Sequence, residues 1–254
     1  MAQRQEMNMA KQISETNGLT RILIVDDHPV FRDGLAGLTG REPDWTVCGV
    51  ADNAQDALAA IERLKPALVL VDISLPGRSG LELIKDIRAL HPATAALVIS
   101  MHDEMLYAER VLRAGGRGYI MKQEGPEKIL EAIRTVLAGQ LYLSGKMSTR
   151  LLDSFSGHRG RAKSPISQLT DRQLEILQLT GLGIDSRTIA RKLHLSFKTV
   201  DAHRAQIRAK LELKNYTELV SYAARWVEAQ PASSWDEGVS PRTARAGIPQ
   251  REAA

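Results

Sequence analysis

The stretches Arg21-Ile-Leu-Ile-Val-Asp-Asp27 and Ala67-Leu-Val-Leu-Val-Asp72 decide the fold. Each is a short, apolar, partly β-branched run closed by carboxylates. Runs of this kind read as strands buried on both faces of a parallel sheet. An open α/β sheet builds its ligand site beyond the carboxyl ends of its strands, so Asp26, Asp27 and Asp72 are expected to converge there. Such a cluster of oxygen ligands suits a hard cation such as magnesium, which keeps several waters and is commonly completed by a phosphate.

Two further runs end on the same rim. Ala95-Ala-Leu-Val-Ile-Ser100 contributes a hydroxyl and Arg117-Gly-Tyr-Ile-Met-Lys122 an ammonium. An isolated Asp-Asp after a strand is more often a helix cap or turn signal. Acids, hydroxyl and lysine in this order, each at a strand terminus, read instead as a phosphoryl site. Together with Asp72-Ile-Ser-Leu-Pro-Gly-Arg-Ser-Gly80, these residues resemble the receiver domain of response regulators, over residues 21 to about 139.

That resemblance implies a role for each residue. Asp72 is the phosphoacceptor, attacking a phosphohistidine on a sensor histidine kinase. Asp27 and Asp72 ligate magnesium directly, Asp26 acts through a water, and the backbone carbonyl of Ser74 completes the protein ligands. Lys122 pairs with the phosphate oxygens and Ser100 hydrogen-bonds to one of them. Ser100 and Tyr119 form a switch, in which the hydroxyl moves toward the phosphate and the ring turns into the vacated space. A half-buried packing tyrosine is the alternative for Tyr119. Serine stands at position 100, where threonine is also common, and His102 follows two residues later, which leaves the lifetime of the aspartyl phosphate open.

From Arg21 the pattern alternates strands at 21–26, 46–51, 67–72, 95–100 and 117–121 with helices at 29–40, 53–64, 80–90, 103–114 and 126–138. The expected fold is α/β, a flavodoxin-like doubly wound five-stranded parallel sheet of order 2-1-3-4-5, with strands 1 and 3 adjacent at the switch point. A small all-α, four-helix helix-turn-helix domain is expected after it. The expected boundaries are a disordered extension at 1–20, a receiver at 21–139, a linker at 140–166, a DNA-binding domain at 167–229 and a disordered tail at 230–254. A short helix over 147–155 is expected within the linker.

The formal net charge of +4 conceals an asymmetry. Residues 1–158 carry 18 Lys and Arg against 20 Asp and Glu, whereas residues 159–214 carry 12 against 5. A polyanionic partner is therefore expected for the second part only, although a charge run is often just a solvated face. No run approaches the roughly 18 apolar residues of a membrane span, so a cytoplasmic protein without a membrane partner is the default. The single cysteine, Cys48, reads as an inert core thiol.

In the basic part, Thr170 followed by Gln173 signals a helix N-terminus, with apolar positions at 174, 177 and 179. A turn at Gly181-Leu-Gly-Ile, a second helix from Ser186 to Leu193 and a longer basic helix after Ser196 fit a helix-turn-helix. Leu169-Thr-Asp-Arg, Thr188-Ile-Ala-Arg-Lys-Leu193 and Leu195-Ser-Phe-Lys-Thr-Val-Asp-Ala-His-Arg204 resemble the LuxR-type DNA-binding domain of NarL/FixJ-like regulators. Val200, Ile207 and Leu211 should face the domain core. Lys198, Thr199, Asp201, Ala202, His203, Arg204, Ala205 and Arg208 form the expected DNA-binding set, with Lys198, Arg204 and Arg208 on phosphates. Asp201 could accept from a cytosine amino group, although lysine is frequent at its position in the family. His203 is expected either at the backbone or against the core. Tyr216 to Val227 reads as an amphipathic fourth helix that either dimerises or packs locally.

The expected function is a two-component response regulator that is not an enzyme. It takes a phosphoryl group from a histidine kinase, uses Mg2+, binds double-stranded promoter DNA and forms a homodimer on phosphorylation. The unphosphorylated receiver is expected to mask the recognition helix or its dimer face. An aspartyl-phosphate phosphatase is a second reading, but such enzymes usually carry an acid two residues past the nucleophile, where this chain has Ser74. A ligand-sensing regulator, the third, would not require Asp26, Asp27, Asp72 and Lys122 together.

Overall fold

The computed structural model describes residues 18–155 and 165–229. The expected disorder at 1–17 and 230–254 lies outside the described residues, but the chain is already in a strand at Thr20, inside the expected N-terminal extension. Strands β1 (Thr20–Val25), β2 (Trp45–Ala51), β3 (Leu68–Val71), β4 (Ala95–Ser100) and β5 (Gly118–Met121) form one parallel sheet of order β2-β1-β3-β4-β5. They alternate with α1 (Pro29–Thr39), α2 (Ala54–Leu64), α3 (Gly80–Leu90), α4 (Glu104–Ala114) and α5 (Pro126–Leu137). This is the doubly wound, flavodoxin-like arrangement that the alternating pattern predicts.

The two-sided burial of β1 and β3 follows from their sequence. Leu23, Val25, Val69 and Val71 face one core, with α2, α3 and α4. Ile22, Ile24, Leu68 and Leu70 face the other, with α1 and α5. Because side chains alternate along a strand, an unbroken apolar run feeds both layers at once. Val25 pairs with Val71 in register, which sets Asp26 and Asp72 side by side one residue later. The Asp72 amide donates to Val25 O at 2.9 Å and the Asp26 amide to Ala51 O at 3.0 Å, so both acids sit on a fixed backbone.

The β3–α3 turn is just as constrained. Ser79 caps α3 in a reciprocal box with Glu82, and Gly80 passes so close to β3 that an added Cβ would meet Asp72 O at 1.9 Å.

After α5 the chain returns along the sheet edge. The Tyr142 amide donates to Arg117 O at 3.1 Å and accepts at its carbonyl from the Tyr119 amide at 3.0 Å, and α6 (Gly145–Phe155) then packs Met147 against the core. Thus the expected linker starts with a single isolated bridge from Tyr142 to Gly118, and its helix begins two residues before the expected 147. A 3-10 turn (Pro165–Gln168) leads into α7 (Asp171–Gly181), α8 (Ser186–Lys192), α9 (Phe197–Lys210) and α10 (Tyr216–Glu228). Thr170 and Gln173 form the expected capping box, and Leu174, Leu177, Val200 and Ile207 make the core of this small helical domain. No helix among the described residues is long and apolar enough to cross a membrane.

Gly80→Ala is expected to destabilise the sheet domain by about 3 kcal/mol through overpacking against the Asp72 carbonyl. Gly37→Ala in α1, whose Cβ would meet nothing within 4 Å, serves as the neutral or stabilising control in urea unfolding.

Candidate functional site

At the carboxyl ends of β1, β3 and β5, Lys122 Nζ lies 2.7 Å from Asp26 Oδ2 and 2.7 Å from Asp72 Oδ2. All three side chains are nearly inaccessible, and the ammonium also lies over the Phe31 ring, 4.6 Å from its centroid. Asp27 is less buried. Its Oδ1 lies 2.8 Å from His28 Nδ1, while the His28 amide donates to Asp26 Oδ1 at 2.9 Å. Ligand atoms of Asp26, Asp27, His28 and Asp72 all fall within 4.8 Å of one another.

Two of the three carboxylates, Asp26 and Asp72, share one ammonium here, and the pKa of each group reflects its surroundings. Burial, followed by the neighbouring Asp72 charge, pushes the Asp26 carboxyl above the ordinary carboxylate range. Burial pushes Asp27 up as well. For Asp72 burial acts in the same sense, but Lys122, His102 and Ser100 outweigh it and hold the carboxyl low. Burial alone would lower Lys122, yet Asp72 and Asp26 keep it raised. Asp72 is thus the carboxyl of the three that its neighbours hold low, oriented by Lys122 and by the Ser74 amide, 3.4 Å from its Oδ1. With the acids ionised and the lysine charged, the cluster carries two uncompensated negative charges. Hard oxygen donors with that deficit fit a divalent cation such as magnesium.

Ser100 is buried at the end of β4, and the Lys122 amide donates to its carbonyl at 2.8 Å. Tyr119 is turned inward, its hydroxyl donating to His102 O at 2.7 Å. His28 was missing from the expected set, although it follows Asp27 directly. An open cavity of about 670 Å³ runs from Asp72, Ser100 and Lys122 to the apolar side chains of Phe31, Leu35 and Ile129.

On α9, Lys198, Asp201, Ala202 and Ala205 are exposed, and Thr199 and Arg208 are half-buried. His203 is half-buried beside Arg172, and burial lowers its pKa. Arg204 departs from the expected phosphate role. Its guanidinium is buried, donating to Thr180 Oγ1 at 3.1 Å and to Ser186 Oγ, and lying 5.2 Å from the Tyr216 ring centroid. Arg204 fastens α9 to α7, α8 and α10.

The expected masking does not fall on the recognition helix. The sheet domain holds the helical domain through α7 and the preceding 3-10 turn, leaving the outer face of α9 uncovered. Arg110 donates to Ile166 O at 3.1 Å, Leu169 O at 2.8 Å and Asp171 Oδ1 at 3.0 Å, while Lys85 lies 3.5 Å from Asp171 Oδ2. Arg172 donates to Gly77 O at 2.6 Å.

Comparison with known proteins agrees with this architecture. Residues 22–134 match the response regulator receiver domain, and residues 167–223 match the bacterial regulatory proteins of the luxR family. The oxygen regulatory protein NreC of Staphylococcus haemolyticus is 37% identical over 210 residues, covering 81% of this chain and 97% of that protein. Among solved structures, a LuxR-family two-component response regulator from Aurantimonas sp. is 31% identical with a TM-score of 0.51, over 54% of this chain and 99% of that one. RcsB of Salmonella enterica serovar Typhimurium, bound to promoter rprA in the presence of the phosphomimetic BeF3-, is 25% identical with a TM-score of 0.54, over 81% and 98%.

Two outcomes follow from these environments. Because the Asp26 carboxyl is raised, the native chain binds more protons than the unfolded one just above the ordinary carboxylate range, and stability falls as pH rises through that window. Asp26→Asn is therefore expected to stabilise the metal-free protein at neutral pH by on the order of 1 kcal/mol, an advantage that shrinks on acidification, as read by urea unfolding across pH. Arg204→Ala is expected to cost about 2 to 3 kcal/mol of stability by stripping partners from a buried network, whereas Arg208→Ala stays within about 0.5 kcal/mol in the same thermal melts.

Proposed function

Because the chain belongs to the response regulators that join a receiver domain to a LuxR-type DNA-binding domain, we propose that it accepts a phosphoryl group on Asp72 from a sensor histidine kinase and, so switched, binds promoter DNA as a dimer. The observation that carries this reading is the Asp72 carboxyl, paired with Lys122 at 2.7 Å and clustered with two further acids where it lines a cavity. Phosphoryl transfer to a carboxylate needs charge neutralisation and in-line positioning more than covalent help from the protein.

In this reading an Asp72 oxygen bonds to phosphorus as the donor histidine leaves. Lys122 follows the charge from the carboxylate to the phosphoryl oxygens, and Ser100 donates to one of them. Asp27 and Asp72, with the Ser74 carbonyl and with Asp26 acting through a water, would hold a magnesium ion, which would supply the remaining positive charge when bound. The inward Tyr119 ring beneath His102 reports the state of that rim to α4 and β5.

On the DNA side, α9 enters the major groove with Lys198, Thr199, Asp201, Ala202 and Ala205 foremost. Arg208 serves the phosphates and His203 lines the edge of the contact. Arg204 contributes by fixing the helix. The fourth helix, α10, pairs two copies on half-sites about one helical turn apart. The protein acts as a cytoplasmic transcription regulator and not as an enzyme.

Incubation with acetyl phosphate and magnesium tests the acceptor. The native chain is expected to gain one acid-labile phosphate together with dimerisation and tighter duplex binding, and Asp72→Asn is expected to lose all three. Equal incorporation in the variant would remove Asp72 from the role.

A further inference from the structure

Helix α7 of the DNA-binding half lies against the rim of the phosphoryl site and delivers Glu175 to it. The Ser74 hydroxyl donates to Glu175 Oε1 at 2.9 Å and lies 2.8 Å from His102 Nε2. A hydroxyl has one proton, so with that proton directed at Glu175 Oε1 the imidazole is the donor to Ser74, which places its hydrogen on Nε2. Glu175 is buried, and its other oxygen, Oε2, accepts from Arg172 Nη1 at 2.7 Å. Arg172 reaches on to Gly77 O at 2.6 Å. Asp72, Ser74, Glu175 and Arg172 are thus joined in sequence, and the chain of contacts returns to the same β3–α3 turn. Burial and then the Glu175 charge also push the hydroxyl of Tyr107 on α4 well above its ordinary value, which sets that carboxylate in the electrostatic surroundings of the switch region.

We propose that Glu175 is a positioning residue of the phosphoryl site supplied by the DNA-binding half: through Ser74 it holds the β3–α3 turn in its unphosphorylated form, so that docking of α7 and phosphorylation of Asp72 oppose each other. This rests on the reading of Asp72 as the acceptor. Two physical terms give the opposition its sign. A phosphoryl group brings added negative charge to a site already rimmed by the Glu175 carboxylate. Its oxygens also recruit the donors nearest Asp72, and the Ser74 amide is one of them. Moving that turn toward the phosphate pulls the Ser74 hydroxyl off Glu175 and leaves a buried carboxylate short of a donor, which favours undocking. Linkage then requires the converse, that a docked α7 disfavours the phosphorylated state by the same factor. The outer face of α9 is exposed while α7 is docked, so the contact governs the acceptor rather than covering the DNA-reading residues.

The experiment uses the full chain with acetyl phosphate and magnesium. An Asp72 oxygen forms a bond to phosphorus, the bond from phosphorus to the acetyl oxygen breaks, and acetate departs with the electron pair. The rate of phosphate incorporation is compared in the native chain, Glu175→Gln, Ser74→Ala, the double variant and Arg110→Gln, which loosens the same docking without touching Ser74. Glu109→Gln, on the exposed side of α4, is the control. Glu175→Gln is expected to raise the rate three- to tenfold and to speed hydrogen exchange across residues 165–178, and Arg110→Gln to change both in the same direction. In the Ser74→Ala background Glu175→Gln should add no further acceleration, a non-additivity that a purely structural role for Glu175 would not produce. A Glu175→Gln rate at or below native, or a full acceleration retained without the Ser74 hydroxyl, overturns the inference while leaving Asp72 as acceptor. Failure of the native chain to incorporate more phosphate than Asp72→Asn overturns the acceptor reading, and this inference with it.

Discussion

Everything at the receiver's working end depends on one ammonium group shared between two buried carboxylates. Lys122 closes β5 where Asp26 and Asp72 close β1 and β3, and the sheet order brings the three together although 96 positions separate the first from the last. Burying acids is costly without compensation, and a single lysine cannot satisfy them all. The site is therefore under electrostatic tension, with burial raising the Asp26 and Asp27 carboxyls while Lys122 and its neighbours hold Asp72 low. A cation or an incoming phosphoryl group meets a place that is already short of positive charge or already provided with donors.

The receiver could be read from the sequence because its information is local. Each apolar run that ends in Asp, Ser or Lys states both that it is a buried strand and which side chain it leaves at the rim. The capping pairs Ser79 with Glu82 and Thr170 with Gln173 likewise declare helix starts within four residues. What escaped the sequence is long-range. Arg204 shares its helix with Lys198, Arg208 and Lys210, and only the arrangement of Thr180 and Ser186 on two other helices shows that its guanidinium is turned inward. His28 was adjacent to the acids all along, but a histidine at the start of α1 carries no signal of its own until its ring is seen 2.8 Å from Asp27.

The contact between the two halves was the least legible part. Arg110 and Asp171 are 61 residues apart and Ser74 and Glu175 are 101 apart, and nothing in periodicity or spacing pairs them. The apolar core of the sheet domain continues into Ile166, Leu169 and Leu174, so the interface is built like an interior with a polar margin. The margin is where a chemical event can act, because hydrogen bonds and ion pairs respond to added charge in ways that packed leucines do not.

The backbone pairing of Tyr142 beside Gly118 has a consequence for assembly. An outermost parallel strand ordinarily presents a row of unpaired amides and carbonyls, an open template for a strand from another molecule. Here the chain itself occupies that margin, and a side chain at position 118 would collide with the Tyr142 carbonyl at 2.8 Å. A strand from a second copy approaching this border would first have to displace the Tyr142 pairing, so the β5 margin is closed at that point while β2 forms the opposite edge of the sheet.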